Sequence, residues 1–132
     1  HLLTERFFFG EEDFEFSLRM EERGIQMACV LDSLIFHKVG ASSDKMLMSG
    51  KVYLNYLNRF IDIRIHKSPL FYYVWSFVNV PLCLKHFFRS THSVINSFSL
   101  LRKLWCDAGR KDGVSREDFE ALVLNNTYFT SK

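Results

Sequence analysis

The chain has 132 residues with 17 basic and 15 acidic side chains, a net charge of +2. That is enough for one modest domain with a single core, and too balanced for a wholesale nucleic-acid binder. Aromatic residues make up 16%, with 14 phenylalanines, and so much ring surface needs a core, a partner or a membrane interface to cover it. Cys29, Cys83 and Cys106 are odd in number, widely spaced and without a CxxC pair, which indicates neither a disulfide framework nor a zinc knuckle and fits a reduced, cytosolic setting. The chain opens at His1 and is at once in dense aromatic sequence, so a fragment of a longer protein is expected.

Residues 11 to 23 read as a helix. Acids fill its first turn, Phe14 and Leu18 recur at four-residue spacing, as do Phe16 and Met20, and Gly24 stops it. Glu15 and Arg19 form a favourable i, i+4 pair. The next segment, "IQMACVLDSLIFHKVG", alternates as two short strands: Ile25, Met27, Cys29 and Leu31 on one face, then Ile35, His37 and Val39 after a turn at Asp32-Ser33. Gly40 to Ser43 reads as a loop.

Val52, Tyr56, Phe60 and Ile63 recur near helical period over residues 51 to 66, interspersed with Asn58, Arg59, Asp62 and Arg64, which predicts a broad-faced amphipathic helix. Ser68-Pro69 breaks it. Ser68 to Leu84 then carries no charge, flanked by Lys67 and Lys85. Seventeen residues are at the short edge of a bilayer span, and Asn79 and Pro81 weaken that reading. Two alternatives stay open. One is a segment lying in the membrane interface, with Tyr72, Tyr73 and Trp75 at the headgroup boundary and Lys85, His86, Arg89, Arg102 and Lys103 toward anionic lipid. The other is a helix buried in a larger protein. A last helix is signalled by the capping box at Ser115 to Asp118, followed by Phe119, Leu122 and Val123. The tail "NNTYFTSK" is expected to fray.

Glu11, Glu12, Asp13 and Glu15 place four carboxylates in five positions. Unpaired N–H groups and the macrodipole favour acids in any helix start, so this cluster alone does not separate a stable first turn from the rim of an active site.

The longer stretch "FFFGEEDFEFSLRMEERGIQMACVLDSLIFHKVGASS" resembles the C-terminal part of the catalytic domain of family-2 inverting glycosyltransferases, especially the rhamnosyltransferase-like and galactofuranosyltransferase-like members. Glu12-Asp13, Glu15, Phe16, Arg19, Gly24, His37, Gly40 and Ser42 match that family's pattern in order and spacing. The resemblance covers roughly residues 4 to 66. It implies an α/β fold: the C-terminal part of a GT-A nucleotide-diphospho-sugar transferase domain, mostly helical here with two or three short strands. Residues 1–45 would be the acceptor-side catalytic part and residues 46–132 a helical, membrane-associated region.

By the same resemblance Asp13 is the general base and His37 a ligand for a divalent metal, Mg or Mn. Glu12, Glu15, Arg19, Ser42 and Ser43 would contact substrate. The implied partners are a nucleotide-sugar donor and a glycan or lipid-linked acceptor, at the inner face of the cell membrane with contact through residues 69–90. Departures are also evident. No Asp-x-Asp occurs in the chain, leucines stand where Gly-Gly-Phe is common, and Tyr56-Leu57-Asn58-Arg59-Phe60 replaces Tyr-x-x-Arg-Asn. The contrasting reading is a noncatalytic membrane-associated or interaction module, with the acids as helix-start residues and His37 in a core.

Overall fold

A computed structural model describes residues 4–34, 36 and 45–124. Five helices follow in order: α1 Glu12–Glu22, α2 Lys45–His66, α3 Pro69–Thr91, α4 Val94–Arg110 and the single turn α5 Arg116–Phe119, which runs on into a π-helical turn, Glu120–Leu124. There is no sheet among the described residues; the one β-type contact is an isolated parallel bridge between Phe7 and Val114.

This corrects the α/β expectation: what is described is a small all-helical domain, which does not fit a GT-A fragment with short strands. Residues 25–30, predicted as a strand, run as irregular backbone. The bonds at the ends of this stretch are local, Ile25 N–H to Met20 O at 2.9 Å and Ser33 N–H to Val30 O at 3.2 Å. Leu31 is 92% exposed. Alternating apolar residues make a strand only when a neighbouring strand takes up their backbone groups, and the described chain places none beside them. The second expected strand, Ser42 and Ser43 of the loop, and the tail lie outside the described residues apart from Phe36.

Local signals at the helix ends act as their chemistry requires. α1 ends in a Schellman arrangement: Gly24, at φ +67°, donates to Glu21 O at 3.0 Å while Ile25 donates to Met20 O. Ser68 caps α3, its Oγ accepting from Phe71 N–H at 3.3 Å, with Pro69 in the first turn. Ser115 and Asp118 complete a reciprocal capping box.

α2 is the hub. Tyr53, Leu54, Leu57, Phe60 and Ile61 are fully buried, and so are Asn58 and Asp62. The helix is therefore covered on more sides than its amphipathic pattern suggests. Phe87 and Cys83 of α3, and Leu100, Leu104 and Ala108 of α4, complete the core with Phe7 and Val114. Tyr72 and Trp75 turn inward, meeting Phe60 edge-on with centroids 6.4 and 5.1 Å away. The three cysteines are free, and burial pushes the Cys83 thiol up to about 12.

The N-terminal segment is stitched to the loop before α5: Phe8 N–H donates to Val114 O at 2.9 Å and Val114 N–H to Arg6 O at 2.7 Å. Arg64 holds the same loop through Lys111 O and Asp112. Gly113 lies so close to Arg6 that a Cβ there would overlap the Arg6 carbonyl. Gly113→Ala is accordingly expected to cost about 1–3 kcal/mol, the usual penalty of overpacking, seen as a lower thermal midpoint; an unchanged midpoint would show that the stitch is dispensable.

Candidate functional site

α1 docks on α2 through one row of side chains at helical spacing, Glu11, Phe14, Glu15 and Leu18. Glu11 precedes the helix in a left-handed conformation, φ +67°, and makes no side-chain cap. Such backbone is unusual for a residue with a Cβ and persists where surrounding contacts fix it. Here the fixing contact is Arg59 of α2, which grips the carboxylate with two hydrogen bonds, Nε at 2.6 Å and Nη2 at 3.0 Å. The same guanidinium lies over the Phe14 ring, 3.6 Å from its centroid.

Glu15 is only 2% exposed. Arg19 Nε reaches it at 2.9 Å, the expected i, i+4 pair, and His66 Nε2 stands 3.7 Å away. At the far end of α1, His66 Nδ1 meets Glu22 at 2.8 Å and Lys67 meets Glu21 at 2.7 Å.

Between these clamps sits Asp62. It is fully buried, and neither carboxylate oxygen has a hydrogen-bond partner among the described residues. Burial above all, then the negative charges of Glu11 and Glu15, push its carboxyl from 3.8 up to about 8, against the pull of Arg59 and Arg6. Near neutral pH it is mostly a neutral acid.

Glu12 and Asp13 belong to the opposite side. Both are exposed, and neither has an ion-pair partner among the described residues. The first turn thus divides its acids: Glu11 and Glu15 are structural, while Glu12 and Asp13 face solvent. Asp13 stands beside backbone N–H groups that open a helix, a position favourable to a carboxylate.

Glu11 and Arg59 also border an open cavity of about 440 Å³ whose walls include Asn55, Tyr56, Trp75 and His86. Its mixture of aromatic faces and hydrogen-bonding groups suits a small polar ligand. Tyr56 OH lies 3.0 Å from His86 Nδ1. Burial and the nearby Cys83 push the phenol up to about 12, so it stays protonated and able to donate.

Of the residues singled out from sequence, Glu12, Asp13, Glu15 and Arg19 are gathered on α1, whereas His37, Ser42 and Ser43 lie outside the described residues. No group of three His, Cys, Asp or Glu side chains able to hold a metal ion occurs among the described residues. Sequence reasoning missed the partnership of Glu11 with Arg59, which spans 48 positions, and the burial of Asp62. An acid inside the α2 pattern, one turn beyond Asn58, was the only signal for the latter. Comparison of the chain with protein-family models, curated proteins and solved structures found no match in any of the three.

Proposed function

We propose that this chain is the acceptor-side portion of an inverting glycosyltransferase that moves a sugar from a nucleotide-diphosphate donor to a glycan or lipid-linked acceptor, with Asp13 as general base. The observation that carries the reading is the division of acids at the start of α1. Two carboxylates are tied down behind the helix, while Asp13 at its N-terminus is exposed and has no ion-pair partner among the described residues. The ordered match of residues 7 to 43 to the family pattern supports it.

In the reaction, an acceptor hydroxyl oxygen forms a bond to the anomeric carbon as the carbon–oxygen bond to the diphosphate breaks. The hydroxyl proton passes to Asp13 and the electron pair leaves with the nucleotide diphosphate. A carboxylate suffices as base because the proton is lost only as the new bond forms, provided that the base lies within hydrogen-bond reach. One displacement inverts the configuration. Glu12, beside Asp13, is placed to contact acceptor hydroxyls, while Ser42 and Ser43 are candidate contacts to phosphate or acceptor oxygens. A divalent metal held by His37 would neutralise charge on the leaving diphosphate.

The test is transfer by the protein that carries this chain, offered a panel of nucleotide-diphosphate sugars with glycan and lipid-linked acceptors. The product's anomeric configuration is read by NMR. Inversion is expected; retention, or no transfer from any donor, would overturn the proposal.

A further inference from the structure

The apolar rings that do not enter the core are not scattered. On α3, Leu70, Tyr73, Val74, Phe77 and Phe88 share one side at helical spacing, and all are exposed, Leu70 and Phe77 each at 75%. On α4, Ile95, Phe98 and Trp105 do the same, with Arg102 in their row. The two rows adjoin: Phe77 of α3 and Phe98, Arg102 and Trp105 of α4 border one almost wholly apolar groove. Leu70 to Phe88 alone spans about 27 Å of helix. Exposed apolar surface of this extent marks an interaction face.

Charge identifies what covers it. α3 has no acidic residue, and the single acid of α4, Asp107, is already bonded to Tyr53 OH at 2.9 Å and Lys103 at 2.7 Å. Lys85, Arg89, Arg102 and Arg110 have no acidic partner among the described residues. A second copy docked on this face would set cations against cations. A long apolar face carrying Tyr73, Trp105 and unpaired cations matches the chemistry of a lipid–water boundary with anionic headgroups. Crossing the bilayer is a different matter: among the described residues no helix is long and apolar enough to do so.

We infer that the outer faces of α3 and α4 form a monotopic contact with an anionic membrane surface. The helices lie in the interface plane, with Phe77, Phe98 and Trp105 inserted among acyl chains and Lys85, Arg89 and Arg102 at the headgroups. Tyr72 and Trp75, half-buried against Phe60, take no part. The contact is independent of sugar transfer and is tested without it.

The experiment is flotation of the protein carrying this chain with vesicles of phosphatidylcholine alone, or with about one third phosphatidylglycerol, at low and high salt. Binding to the anionic vesicles is expected, weakened by salt. Phe77→Glu with Phe98→Glu should reduce it by about tenfold or more, since each ring removes its burial from the lipid phase. Arg89→Gln with Arg102→Gln should weaken it and flatten the salt dependence. Both pairs lie on the surface, so circular dichroism should show unaltered helix content. Equal binding to neutral vesicles, undiminished binding by the glutamate variant, or a dimer that the glutamate variant splits without any vesicle binding would each overturn the inference.

Discussion

Asp13→Asn is expected to lower sugar transfer by about 10²- to 10⁴-fold, the range that a positioned general base contributes. The amide keeps the size and planarity of the carboxylate and removes its capacity to accept a proton. Asp13 is exposed and makes no ion pair among the described residues, so the exchange leaves nothing buried without a partner, and stability should stay within about 0.5 kcal/mol of the parent. The loss should fall on kcat at saturating donor, with donor affinity retained. Glu12→Gln, one position away on the same exposed turn, should raise the acceptor KM and leave kcat nearly unchanged. Initial rates and a donor-binding isotherm decide the matter: an unchanged kcat in Asp13→Asn, or an equal loss in Glu12→Gln, would remove Asp13 from the role of base.

The second large effect concerns Asp62 and pH. Its carboxyl titrates near 8 in the folded chain, against an ordinary value of 3.8. Below about pH 4 folded and unfolded chains both hold the proton, and the group's contribution is fully present. Between about pH 4 and 8 the unfolded chain has lost a proton that the folded chain keeps, so stability falls as pH rises, by about 1.4 kcal/mol per pH unit for one such group. Above about 8 both states are ionised and the decline ends. Asp62→Asn carries no charge in either state. Its urea midpoint, compared with that of the parent between pH 5 and 8, should show the difference growing with pH in favour of asparagine, to several kcal/mol at the upper end. A parent whose stability rises over that window, or a variant with the same slope, would place the charged form of Asp62 in an environment that accommodates it.

What could be read from the sequence was what neighbouring residues settle among themselves. Helix α1, its Gly24 stop, the Ser68-Pro69 break and the Ser115 capping box each depend on contacts within a turn or two. The strand expected at 25–31 does not form, because alternation specifies a strand only if another segment supplies the ladder, and nothing in a single run of residues shows whether one will. The burial of Asn58 and Asp62 was hidden for a related reason. Periodicity ranks the sides of a helix but does not say how many neighbours surround it, and α2 is enclosed by α1, α3 and α4 together. Asn58 spends its amide on Phe9 O at 2.8 Å, a partner 49 positions away. The inward turn of Tyr72 and Trp75 was concealed as well, because it depends on how α3 folds back on Phe60 of α2. That Glu12, Asp13, Glu15 and Arg19 share α1 was legible because two helical turns fix their relation. That Glu11 belongs with α2 was not.

α1 is fastened to α2 at two stations, Glu11 to Arg59 before its first turn and Glu21 and Glu22 to Lys67 and His66 at its last. A rod pinned near both ends resists tilting and end-to-end sliding, and the buried Glu15 and Leu18 between the pins resist rolling as well. Asp13, on the first turn of a helix so held, keeps both its azimuth and its depth. The carboxylate of Asp13 therefore stands on a fixed mount, and what it can still change is set by its own side-chain torsions.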